Sequence, residues 1–191
     1  MSTPSVSIAQ RLKPKPAPLA LWRWRLLGFA LSSAIVALAI GPGGRAGVLR
    51  LARTAAWVPH APRLSLLTAQ SWALQLHVAT IVAAFLVGTV LMLRVKGTRL
   101  HKALGWTWVA LMTTTAVAAL FIRAAGMPRW SLLHVFVAVT AVSLSLGLAA
   151  IRRGDVARHA RWMTGLYFGG LIGAGVLAFM PGRLMWRMVF G

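Results

Sequence analysis

Four of the five histidines fall into a duplicated frame: His77 and His101 stand 24 residues apart, His134 and His159 stand 25 apart, and each pair brackets one long apolar stretch. A neutral imidazole offers one lone pair to a metal, and two such rings from facing helices supply the axial ligands of a haem iron. Zinc wants three or four ligands at one level, and only two histidines fall at each level here. A single histidine at a helix end is ordinarily an interfacial side chain. Four in register across a duplication point to function, because an ionisable group inside a membrane is costly. His60 has no partner in the pattern and reads as structural or solvated.

The elements that must position these rings are membrane spans. The chain is 59% hydrophobic and only 12% charged over 191 residues, with a mean hydropathy of +0.75, whereas charged residues make up about a quarter of a soluble domain. Five apolar runs occur: Leu26 to Ile40, Ala73 to Leu93, Ala103 to Ile122, Leu132 to Ile151 and Trp162 to Met180. Crossing ~30 Å of hydrocarbon takes about 20 helical residues, so the last four qualify and the first is short. No run shows the alternation of a barrel strand. The expected class is therefore an all-α integral membrane protein with five transmembrane helices. Residues 1–25 read as a disordered basic cytoplasmic tail, 26–41 as the first transmembrane helix, 42–72 as an external loop, 73–183 as a four-helix membrane domain and 184–191 as an external C-terminal tail. Within the loop, Ala46 to Val58 reads as a short interfacial helix. Ala37-Leu38-Ala39 faintly resembles a cleavage site, but a leader of 25 residues is long for a signal peptide, so the first span reads as uncleaved.

A net charge of +20 invites a nucleic-acid reading, and its placement argues against one. Arg11, Lys13, Lys15, Arg23 and Arg25 precede the first run, Arg94, Lys96, Arg99 and Lys102 follow the second, and Arg152, Arg153, Arg158 and Arg161 follow the fourth. All of these share one side of a five-span topology, against Arg45, Arg50, Arg53, Arg63, Arg123, Arg129, Arg183 and Arg187 on the other. The excess places the N-terminus and two short basic loops in the cytoplasm and the C-terminus outside, as in a multi-pass protein of the bacterial inner membrane. The charge sets topology, and the partner it implies is the lipid bilayer. Trp24, Trp72, Trp130, Trp162 and Trp186 lie near span ends, where an indole ring suits the headgroups.

An internal repeat carries most of the information. Leu76-His77-Val78 recurs as Leu133-His134-Val135, Lys96-Gly97 as Arg153-Gly154, and Leu100-His101 as Arg158-His159 after a one-residue insertion. Spans 2 and 3 thus form a hairpin that spans 4 and 5 repeat, giving a four-helix bundle of two hairpins with pseudo-twofold symmetry. His77 and His134 fall near the outer end and His101 and His159 at the cytoplasmic end, the levels being about 25 Å apart at 1.5 Å per residue. The face of His77 carries Ile81, Ala84 and Gly88, and the matching face of His134 carries Ala138, Ala141 and Ser145. These small residues are expected to leave a groove below each outer histidine. The face of His101 carries Gly105, Trp108 and Met112. Gly165, Gly169 and Gly173 recur every four residues, with Gly170 on the face of His159. That ladder reads as a close-packing surface in preference to cofactor clearance.

What is missing narrows the chemistry further. There is no cysteine, hence no disulfide and no thiolate-held iron–sulfur cluster. Asp155 is the only acidic residue and falls in a cytoplasmic loop, so no span carries the carboxylate of a common proton relay and no acid/base carboxylate pair exists. Glycine-rich phosphate loops are absent.

KGTRLHKALGWTWVALM, from Lys96 to Met112, and RRGDVARHARWMTGLYFGGLIGAGVLAFMPGR, from Arg152 to Arg183, resemble a family of predicted bacterial membrane proteins of unknown function over roughly residues 75 to 183. That likeness implies membership and no activity. More distantly, the four-histidine plan is similar to the dihaem cytochromes b-561, transmembrane electron carriers and ferric reductases whose ligand pairs come from spans 2 and 4 and spans 3 and 5. The resemblance implies His77 with His134 as one pair, His101 with His159 as the other, and haem b, one or two, as cofactor. Two departures stand out: His101 and His159 lie at the very start of their helices, and no substrate-binding motif matches. The leading expectation is a b-type haem cytochrome carrying electrons across the membrane, with an anionic molecule or a quinone as donor or acceptor and no nucleic acid. Arg99, Lys102, Arg158 and Arg161 would attract an anionic donor, their simpler role being topology. The alternatives are a non-catalytic structural or accessory membrane protein and a small permease.

Overall fold

The structure is a computed structural model that describes residues 58–122 and 132–190, together with residues 23, 26–30, 33, 34, 46, 47, 49, 50 and 52–54. Most of the expected N-terminal tail and much of the first span lie outside the described residues. Every element among the described residues is helical.

We number the helices α1 (Ser65–Thr68), α2 (Trp72–Leu93), α3 (Arg99–Leu120), α4 (Leu132–Arg152) and α5 (Val156–Gly165), the last continuing as a π-helical segment (Leu166–Gly173) into α6 (Ala174–Ala178); α7 (Leu184–Val189) follows. Among the described residues three helices are long and apolar enough to cross a membrane, covering Trp72–Leu93, Arg99–Leu120 and His134–Arg152. The protein is thus a helical membrane protein. The expected fifth span departs from a single α-helix: its helical residues continue from Val156 to Ala178, but the middle is a π segment of sequence LYFGGLIG. The wider π turn falls in a glycine-rich stretch, where few side chains crowd the backbone.

The two turns between paired helices use the same chemistry. Ahead of α3, Gly97 takes φ +83° and the Thr98 hydroxyl accepts from the His101 N–H at 3.1 Å. Ahead of α5, Gly154 takes φ +75° and the Asp155 carboxylate accepts from the Arg158 N–H at 2.9 Å. Positive φ is where glycine escapes a Cβ clash, and the capping side chain satisfies an N–H that has no partner in the first helical turn. Lys96 closes the end of α2, its Nζ donating to the Met92 and Arg94 carbonyls at 2.7 and 3.0 Å.

Packing joins α2 to α3, α3 to α4 and α4 to α5, and the π segment touches both α2 and α4. The core lies where these elements meet: Ala84 and Leu91 of α2, Trp108 and Met112 of α3, Leu144 of α4, and Leu166, Tyr167 and Leu171 of the π segment. Between helices in lipid, association rests on close contact because the surrounding chains are as apolar as leucine. Gly88 is the clearest instance, since a Cβ there would stand 2.6 Å from the Tyr167 ring and 2.8 Å from Trp108 Nε1. Gly169 is another: its Cβ would meet the Gly28 carbonyl oxygen at 2.7 Å, so the helical residues 26–30 cross the π segment backbone to backbone. The packing reading of the glycine ladder is what the geometry shows at that rung. Residues 46, 47, 49, 50 and 52–54, inside the expected interfacial helix, are helical. At the chain's end α7 buries Trp186 and Met188, and the Val189 and Met188 carbonyls accept from the N–H groups of His60 and Arg63 at 2.9 and 3.0 Å. Residues 184–189, expected as a tail, thereby form a helix tied to the loop before α1.

Candidate functional site

Helical phase decides which histidines enter the core. On α2, Ala73, Ala84, Gly88 and Leu91 are buried, and at 100° per residue all four lie within about 40° of His77. On α3 four of the five buried residues, Trp108, Met112, Thr115 and Ala119, likewise lie within about 40° of His101, Ala118 standing about 100° away. On α4 the buried positions are Thr140, Ser143, Leu144, Gly147 and Ala150, and their centre is about 140° around the helix from His134. Ala138, Ala141 and Ser145, expected to form a groove beneath His134, are exposed. The other expected groove is filled, because Gly88 is covered by the Tyr167 and Trp108 rings.

Each inward ring has a distinct polar environment. His77 Nδ1 lies 3.0 Å from the Thr115 carbonyl of α3. A carbonyl only accepts, so Nδ1 carries the proton and Nε2 of the neutral ring keeps a bare lone pair. Beside it the Thr115 hydroxyl donates to Thr80 Oγ1 at 2.7 Å, and Thr80 donates to the Leu76 carbonyl at 2.8 Å. At the basic end His159 repeats the arrangement, with Nδ1 2.9 Å from the Gly147 carbonyl of α4. His101 differs: its Nδ1 is buried with no hydrogen-bond partner. His101 lies within electrostatic reach of His159 and of Lys96. The Trp108 indole N–H, two turns along the same face of α3, is also buried without a partner.

The structure therefore brings His101 and His159 into one neighbourhood and points His77 into the core, while His134 sits on a helix face that turns outward as α4 proceeds. The one-residue insertion in the second turn explains part of this. Counted from the capping residue, His101 is the third position of its helix and His159 the fourth. That single step moves the second ring by about 100° around its helix. No group of three or more His, Cys, Asp or Glu side chains that could hold a metal ion occurs among the described residues.

Sequence reasoning passed over the hydroxyl cluster of Thr80 and Thr115, the Thr89–Tyr167 bond of 2.7 Å and the π segment itself. Threonines inside an apolar helix were the available signal for the first two, since a buried hydroxyl needs a partner.

Neither the curated proteins nor the solved structures include a match to the chain, so the distant likeness to the dihaem cytochromes b-561 gains no support from them. A family model does match, that of Predicted membrane protein (DUF2306), across residues 74–190. It takes in α2 through α7 almost entirely, with both turns and all four framed histidines. On the strength of that coverage, the chain belongs to this family of predicted membrane proteins.

Proposed function

We propose that the protein is a b-type cytochrome of the bacterial inner membrane, with five spans, the last four arranged as a four-helix bundle of two hairpins, the N-terminus cytoplasmic and the C-terminus external. One haem b is held between His101 and His159 near the cytoplasmic face. The observation that carries this reading is the His159 Nδ1 contact with the Gly147 carbonyl. It orients the ring, fixes the proton on Nδ1 and leaves Nε2 with the lone pair a haem iron would take, on a ring within electrostatic range of His101. A ligand histidine commonly has just this outer bond to a backbone carbonyl. When bound, the haem supplies one-electron chemistry, while the chain sets burial and axial ligation. Exposed Arg99, Lys102 and Arg158 give the same end a positive potential that favours an anionic molecule or a reduced quinone anion as donor. His77 fits the same ligand pattern and His134 does not share its orientation, which is why the proposal holds one haem and not two.

A second reading has its own support. His77 and His159 each bridge two helices through a backbone carbonyl, and such bonds staple a bundle with no cofactor at all. The absorption spectrum of detergent-solubilised protein from haem-replete cells separates the two. The cytochrome reading expects a Soret band in the wild type and in His134→Ala, lost in His101→Ala and His159→Ala. A folded, colourless wild type overturns it and leaves the staple, for which His77→Ala and His159→Ala lower the unfolding midpoint and nothing more.

A further inference from the structure

Between the end of α2 and the start of α3 lies a pocket of about 310 Å³. Leu91, Val95, Leu100 and Leu104 form its apolar wall, and Arg94 and His101 its polar side. The Arg94 side chain makes no hydrogen bond or ion pair among the described residues. The chain's single side-chain carboxylate is Asp155, which caps α5 through the Arg158 N–H. His101 also lines the pocket, but its unpartnered Nδ1 is buried and not open to that space. A third polar lining residue, Thr98, already uses its hydroxyl to accept the His101 N–H. An exposed, unneutralised guanidinium thus lines one small pocket whose wall is mostly aliphatic.

Depth selects the ligand. α2 ends at Leu93 and α3 begins at Arg99, so a bilayer spanned by these helices would have its headgroups at the level of Arg94. A molecule suited to the pocket carries a phosphodiester anion at that level and hydrocarbon beneath it. We infer that the pocket between α2 and α3 binds an anionic glycerophospholipid, its phosphate taken by Arg94, its acyl chain lying on Leu91, Leu100 and Leu104. This inference does not depend on haem, and its readout does not involve absorbance.

The test is the thermal unfolding midpoint of the full-length protein in nanodiscs containing phosphatidylcholine alone or a titrated share of phosphatidylglycerol. A parallel detergent sample receives inorganic phosphate. Phosphatidylglycerol is expected to raise the midpoint saturably, whereas inorganic phosphate is not. Arg94→Gln should weaken the apparent lipid affinity on the order of tenfold, the range of a lost charge-assisted hydrogen bond. Arg94→Lys should retain part of the effect. Arg153→Gln, which removes an exposed cation outside the pocket, should retain all of it. Equal midpoints in the two lipids, an undiminished response in Arg94→Gln, or an equal response to free phosphate would each overturn the assignment.

Discussion

The two hairpins start from nearly the same residues and end in different structures. In the first, α2 and α3 are unbroken α-helices of 22 residues each, and both of their histidines lie on the core-facing side. In the second, the α4 face that begins at His134 is exposed at Ala138, Ala141 and Ser145, and the return helix passes into a π segment after only 10 α-helical residues. The turns share a glycine at positive φ and a side-chain cap but differ by one residue before the histidine, and the rest of the divergence arises beyond them. Glycine-rich backbone in the second half lets the return helix widen and receive another helix at Gly169, while the first half uses its one buried glycine to seat the aromatic rings of its neighbours. The same turn chemistry recurs in both halves while their packing differs.

The comparison can be broken most forcefully at Gly88. Gly88→Leu drives a side chain into the buried Tyr167 and Trp108 rings, and we expect a loss of about 3 kcal/mol, the upper end of the usual overpacking range. Reversible unfolding in mixed micelles measures it, and a wild-type midpoint would show that α2 and the π segment do not meet as described. Next comes Gly169→Ala, whose new methyl group meets rigid Gly28 backbone; about 2 kcal/mol is expected. Should its unfolding curve overlay the wild type, residues 26–30 do not cross the π segment closely.

Thr98→Ala and Asp155→Ala each remove one helix cap, at about 1 kcal/mol apiece. Equal losses sharpen the equivalence of the turns, and a loss at only one of them breaks it. Tyr167→Phe deletes the hydroxyl bonded to Thr89 and should lower stability by about 0.5–1 kcal/mol, a typical net hydrogen-bond contribution. The smallest effect is expected at Gly147→Ala. Its methyl meets the terminal carbon of Met163, the movable end of a flexible side chain, and Trp162 Cβ at 3.3 Å, so a cost below about 1 kcal/mol follows. A loss there as large as that at Gly88 would make the two halves equally rigid.

Much of the architecture was legible from residue order. The apolar run beginning at Ala73 became α2, KGT and RGD became capped turns with glycine at positive φ, and His77 and His101 fell on the buried side of their helices as period and phase required. The glycine ladder read as a packing surface meets backbone at Gly169. Less legible was anything that depended on a partner helix. The groove under His77 looks empty when only small residues on one helix are counted, yet Trp108 and Tyr167 arrive from two other helices to fill it. The groove under His134 assumed that duplicated residues keep duplicated faces, and Ala138, Ala141 and Ser145 are exposed instead.

Residue order alone determined that this is a helical membrane protein with two alike turns, because hydrophobic length, helical period, glycine backbone freedom and helix capping are local properties of the chain. Tertiary structure decided which carbonyls the histidines meet, which glycines are covered, and that the return helix opens into a π segment. Those outcomes depend on the rotation of each helix about its axis relative to its neighbours, and that angle is settled by side chains and backbone brought together from distant parts of the sequence.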